Sequence, residues 1–218
     1  GVTGTADLAA ATRSVVEEIQ MFWPGRRAPE VRLLPSTLVA RDLPTQPGKG
    51  LATCLGLDEQ RLAPVWHDFD TTGHLMVFGD DETGKSNLLR LLVRQILDAN
   101  PPDAVRFILA DPSRSLERDI PADQRSGYCV DESSLRELAT QAAGSLARRI
   151  PDQAVTAEQL ARRDWWTGPQ LFFVLDDYHL LSGSGMSPLE PLLPLLPQAR
   201  TSVCTSSSPA APPGRCGR

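Results

Sequence analysis

The segment Gly79-Asp80-Asp81-Glu82-Thr83-Gly84-Lys85-Ser86 has the spacing G-x-x-x-x-G-K-S/T. Glycines let the backbone curl until several N–H groups face one point. A helix opening directly behind the loop adds its positive N-terminal end, so the pair forms a cradle for phosphate. In such a cradle Lys85 reaches the β- and γ-phosphates of a nucleotide, and the Ser86 hydroxyl ligates Mg²⁺. The expected ligands are ATP and Mg²⁺. The expected contact set is Gly79, Asp80, Asp81, Glu82, Thr83, Gly84, Lys85, Ser86 and the adjoining Asn87. Three acids beside a polyanion are unusual, and their side chains are expected to point outward.

A second segment supplies the acids. Leu171-Phe172-Phe173-Val174-Leu175 is wholly apolar and runs straight into Asp176-Asp177. A buried strand ending in an acid is the Walker B pattern, which places Asp176 on Mg²⁺ through water. Asp177 is the candidate catalytic base. Many related ATPases carry Glu at this place, and Asp is one methylene shorter. A base must come within hydrogen-bond reach of the attacking water, so binding is better supported than fast hydrolysis.

These residues need strands that end at them and a helix that starts at them. His74–Phe78 reads as a short buried strand leading into Gly79. Residues 86–99 read as a helix with Leu88, Leu89, Leu92, Val93, Ile96 and Leu97 on its apolar face. Further strands are expected over Pro64–Phe69, Ala104–Leu109 and Leu171–Leu175. Helices are expected over Ala6–Trp23, over Ser134–Ile150 with Ser134 and Glu137 at capping-box spacing, and over Ala157–Trp166. A short strand-like run covers residues 31–34. Strands alternating with helices predict an α/β fold with a mostly parallel sheet covered on both faces. The prolines at 188, 191, 194 and 197 exclude a regular helix and predict a turn-rich or polyproline-like connection.

The composition narrows the classes. At 41% hydrophobic and 22% charged residues the chain reads as an ordinary globular domain, and no apolar run approaches the ~20 residues that span a bilayer. Its net charge of −5 counts against a nucleic-acid partner. The pairs Arg26-Arg27, Arg148-Arg149 and Arg162-Arg163 read as solvated. Cys54, Cys129, Cys204 and Cys216 lack metal-site spacing, and His67, His74 and His179 are scattered. The first residue is Gly, which predicts an excerpt or processed piece of a longer polypeptide.

Five segments occur in order: WPGRRAPEVRLLPSTL, LGLDEQRLAPVWHDF, HLMVFGDDETGKSNLLRLL, LADPSRSL and GPQLFFVLDDYHLL. This succession, over residues 23–200, resembles the EccC family, the FtsK/SpoIIIE-type motor ATPases of type VII secretion. The Asp-Asp pair and the LLP connector look most like the last of that family's tandem ATPase domains. The resemblance implies a RecA-like P-loop NTPase core and nucleotide-linked regulation. It implies docking of the C-terminal segment of small helical Esx-type secreted proteins, with neighbouring ATPase domains of the same motor as partners. It also implies a cytoplasmic location, peripheral to the inner membrane through the rest of the secretion complex, with no membrane span in this chain. The alternatives are an actively hydrolysing motor domain and, against the charge balance, a DNA translocase.

The expected organisation is an N-terminal helix and extended connector over residues 1–50, a P-loop ATPase core over 51–200, and an irregular segment over 201–218. The α/β pattern stops abruptly after Arg200. Restoring one base before Thr201 regroups its codons into an apolar run, so a frameshifted tail is expected. Residues 201–218 should then lack regular structure, leaving the sheet truncated at Leu171–Leu175.

Overall fold

The computed structural model describes residues 4–25, 33–46, 50–151, 155–162, 168–183, 185–196 and 201–207, the last seven as backbone. The chain divides into two compact units, Gly1–Leu33 and Leu34–Arg218.

In the first unit, helix α1 covers Gly4–Phe22, and its apolar residues Leu8, Val15, Val16, Ile19 and Phe22 are all exposed. Residues 31–32 of the expected strand lie outside the described residues, and Leu33-Leu34 is irregular. The extended stretch from Leu34 belongs with the second unit, whereas the sequence reading grouped it with the helix. Local bonds tie it there. Ala52 N–H donates to Gln46 Oε1 at 2.9 Å, the Asn100 amide donates to the Gly50 carbonyl at 2.9 Å, and Leu43 is buried.

The second unit opens with an antiparallel hairpin, β1 (Ala52–Leu57) and β2 (Pro64–Asp68). There follow β3 (His74–Phe78), α2 (Lys85–Ala99), β4 (Val105–Ala110), β5 (Arg125–Cys129), α3 (Glu132–Ala147), α4 (Ala157–Arg162), β6 (Gln170–Leu175), α5 (Tyr178–Leu181) and β7 (Thr201–Ser207). The last five strands form one sheet in the order β3-β7-β6-β4-β5, with every neighbouring pair parallel. Side chains alternate between its faces. Phe107, Leu109, Phe172 and Val174 pack with Leu89, Val93 and Ile96 of α2, while Ile108, Leu171 and Phe173 pack with Ala139, Ala142 and Leu146 of α3. Burial on both faces explains the apolar runs at residues 107–110 of β4 and 171–175 of β6.

Four expectations need correction. First, Thr201–Ser207 is ordered as β7 between β3 and β6, with Leu171 opposite Thr201 and Leu175 opposite Thr205. The sheet therefore does not stop at Leu171–Leu175, and the irregularity expected of a frameshifted tail fails over these residues; 208–218 lie outside those described. Serine-rich composition masked an alternation of β-branched Thr201, Val203 and Thr205, which suits a strand. Second, β3 is an edge strand, not a buried one, with Met76 and Phe78 61% and 68% exposed. Third, α3 begins earlier than expected. Its N-cap is Asp131, whose Oδ1 accepts from Ser134 N–H at 2.9 Å. Fourth, Arg149 is buried and donates to the Pro169 carbonyl at 2.9 Å, so it is no solvated charge. Burial, and then Arg148 beside it, lower its pKa.

Besides β7, two further strands were not anticipated, β1 and β5. The proline-spaced stretch forms successive turns, among them Leu192 N–H to the Leu189 carbonyl and Leu195 N–H to the Leu192 carbonyl, both at 2.9 Å. Leu192 anchors it in the core. Helix α4 opens with a reciprocal pair between Thr156 and Gln159, and residues 163–167 of its expected span lie outside the described residues.

Candidate nucleotide-binding site

In a parallel sheet every strand ends at the same edge. Here β3 ends at Phe78 before the Gly79 loop, β4 ends at Ala110 before Asp111, and β6 ends at Leu175 before Asp176 and Asp177. Ala110 and Leu175 are register partners. Strands β3 and β6 are separated by β7 alone, about 10 Å apart at a strand spacing of ~4.8 Å. The topology thus brings the loop and both acids to one edge.

The loop itself is built on backbone demands. Gly84 has φ 91° and stands as N-cap of α2, a conformation that disfavours a side chain. Glu82 also has positive φ, at 60°. A Cβ at Gly79 would lie 2.6 Å from Thr83 Oγ1, so a larger residue would force the Thr83 side chain to move. Thr83 Oγ1 donates to the Asp80 carbonyl at 2.8 Å. Lys85 is 7% exposed, and its Nζ donates to the same carbonyl at 2.7 Å. The ammonium is therefore turned into the loop, where the carbonyl takes the acceptor role a phosphate oxygen would have. Asp80, Asp81 and Glu82 are exposed, as expected; Ser86 is half-buried and Asn87 exposed.

Asp176 is fully buried. Its Oδ1 accepts from Asp177 N–H at 3.1 Å, and its Oδ2 accepts from Ser115 Oγ at 3.1 Å. Asp177 is half-buried, adopts φ 45° and ψ 46°, and accepts from Ser113 Oγ at 2.9 Å through Oδ2. A left-handed Asp is uncommon and draws notice in a loop.

Ser113 and Ser115 belong to the loop after β4, which sequence reasoning did not single out for chemistry. Asp111 organises it from a fully buried position. Its Oδ1 accepts from Ser115 N–H at 2.9 Å, and its Oδ2 from Leu116 N–H at 2.8 Å. Arg90 of α2 holds the far side. Its Nε donates to Asp119 Oδ2 at 2.7 Å and its NH2 to the Ser115 carbonyl at 2.9 Å, while Arg94 donates to Asp119 Oδ1 at 2.7 Å. Burial pushes the Asp119 carboxyl up. The hydrogen bonds and charges of Arg90 and Arg94 outweigh it and hold the group below its ordinary value.

The donor set fits the expected ligands. Hard oxygens from one hydroxyl and one carboxylate suit Mg²⁺, which binds through one or two carboxylates plus substrate phosphates and keeps its waters. No group of three or more His, Cys, Asp or Glu capable of holding a metal occurs among the described residues. A cavity of about 330 Å³ lined by Thr45, Gln46, Gln95 and Asp98 lies toward the other end of α2, ~20 Å along the helix, away from the phosphate donors.

Cys216 and the side chain of Cys204 lie outside the described residues. Cys54 and Cys129 are free and buried, and burial pushes the Cys129 thiol up to about 11. His67 packs edge-on against Phe69 at 4.4 Å, and burial lowers its pKa.

Comparison with known proteins fits this geometry. Residues 40–118 match the FtsK/SpoIIIE family. The chain is 41% identical to the ESX secretion system protein EccC of Thermomonospora curvata over 92% of its own length, but spans 15% of that protein. The structure superposes on the cytoplasmic domain of that type VII secretion ATPase with a TM-score of 0.79 and 38% identity, covering 95% of this chain and 24% of the other. It superposes equally well, with TM-score 0.79 and 38% identity, on a structure of ATPases 2 and 3 of the same EccC in complex with a signal sequence peptide, covering 95% of this chain and 38% of that one. The relatives share the RecA-like P-loop fold, and no helix among the described residues is long and apolar enough to cross a membrane. Over residues 40–118 this chain is similar to the FtsK/SpoIIIE family, and over nearly its whole length it is similar to a part of the EccC proteins of type VII secretion.

Proposed function

We propose that this chain is an ATP-binding domain of a type VII secretion motor, acting in the cytoplasm in nucleotide-linked regulation and in docking of small helical secreted proteins. The observation that carries the reading is the convergence of the Lys85 loop and the Asp176-Asp177 pair on one edge of the sheet. The backbone of residues 79–84 and the Lys85 ammonium bind the phosphates. Ser86 and Asp176 hold Mg²⁺, which supplies charge neutralisation at the outer phosphates. Asp177 orients water. Its carboxylate accepts from Ser113, and its side chain is short, so hydrolysis is slow in the isolated chain.

The docking part rests on resemblance. The EccC structure with which this chain superposes contains a signal sequence peptide. The expected ligand here is the helical C-terminal segment of an Esx-type protein, laid in an apolar groove, with neighbouring ATPase domains as further partners. Calorimetric titration of the chain with such a peptide and with duplex DNA tests this. Saturable peptide binding with no DNA binding is expected. DNA binding without peptide binding would favour a translocase.

A further inference from the structure

Two halves of the proposed metal site come from distant parts of the chain, Ser86 from the start of α2 and Asp176 from the end of β6. Something must hold them in fixed relation. A carboxylate turns about a broad, two-fold terminal torsion, so its oxygens aim only as well as their hydrogen bonds hold them. Resting on the nucleotide-binding reading above, we propose that Ser115 is a positioning residue for Asp176, and that Arg90 couples it to the P-loop helix.

The chain of contacts is continuous. Ser86 and Arg90 are four residues apart on α2 and therefore share a face. Arg90 donates to the Ser115 carbonyl at 2.9 Å and to Asp119 Oδ2 at 2.7 Å. The Ser115 N–H is fixed from the opposite side by buried Asp111 at 2.9 Å. With its backbone held at both N–H and carbonyl, Ser115 donates its hydroxyl to Asp176 Oδ2 at 3.1 Å. Asp176 Oδ1 accepts from Asp177 N–H at 3.1 Å, so each carboxylate oxygen has a fixed donor. Donors to an ionised acceptor are stronger than neutral pairs. Partners of this kind orient a metal-ligating carboxylate, and their loss commonly costs 10–100-fold in metal affinity or activity. A displacement of α2 would thus pass through Arg90 to the carboxylate.

Calorimetric titration of ATP at a series of free Mg²⁺ concentrations, and in EDTA, provides the test. Ser115→Ala is expected to raise the Mg²⁺ needed for the half-maximal gain in ATP affinity by about tenfold, with affinity in EDTA unchanged. Ser115→Thr keeps the hydroxyl and should return the Mg²⁺ dependence to within about twofold of the parent. Arg90→Ala should shift it in the same direction, and the double variant should go no further than the larger single effect, since both act through one path. An unshifted Mg²⁺ dependence in Ser115→Ala would overturn the inference alone. So would equal loss in EDTA and in Mg²⁺, which is damage to the loop and not to the metal ligand. Absence of any ATP binding by the parent chain would instead overturn the nucleotide-binding reading beneath it.

Discussion

Asp177 stands at the end of β6 with a left-handed backbone and its carboxylate on the Ser113 hydroxyl. In the proposed role of base, its short side chain limits its reach. Asp177→Glu is expected to raise steady-state ATP turnover on the order of tenfold, below the ~10²–10⁴ of a fully placed base; a phosphate-release assay reads it, and unchanged or lower turnover would remove Asp177 from that role. Gly79 makes a different demand. A methyl group there meets Thr83 Oγ1, so Gly79→Ala should weaken ATP binding by opening the loop, while the thermal midpoint without nucleotide barely moves. At this scale the places of Lys85, Ser86 and Asp176 in the fold were legible, because the motif fixes residue type and spacing within one loop and one strand end. Ser113 and Ser115 were not, because their bonds to the acids span 64 and 61 residues of chain and leave no local pattern.

Elements set how firmly the site stands. Phe172 of β6 is fully buried between Phe69, edge-on at 5.4 Å, and Phe107, stacked at 5.4 Å. Phe172→Ala is expected to cost about 3–5 kcal/mol in urea unfolding; a loss below about 1 kcal/mol would show the core is not organised around this strand. The clasp between α2 and the loop after β4 has a pH signature. Arg90 and Arg94 hold Asp119 below its ordinary value of 3.8. A carboxyl with a lowered folded pKa stabilises fully above its unfolded pKa, and the contribution is lost as pH falls through the folded value. Asp119→Asn should therefore flatten the acid limb of the stability–pH curve below about pH 4; an identical limb would exclude the clasp. The Walker strand could be read in advance from its unbroken apolar run, and α2 from its apolar face at helical spacing. The edge position of β3 and the order of β7 could not. A short apolar run does not reveal which neighbours it has, and a serine-rich strand held between two others does not look apolar.

At the scale of the whole molecule, a parallel sheet sets its loops at one edge, and an acidic balance of −5 counts against a surface that tracks a phosphate backbone. The α/β class followed from alternating periodicities. The division of the chain at Leu33–Leu34 did not, because proline and glycine mark extended backbone without showing which unit it packs against. The chain spans a small part of its EccC relatives, so what nucleotide binding does for secretion depends first on whether this domain binds nucleotide at all. Calorimetry of Mg·ATP with the parent chain and Lys85→Ala decides that. The account predicts saturable binding by the parent and loss of measurable binding in the variant, since Lys85 is the cation turned into the loop. Equal affinity in the two proteins would contradict it.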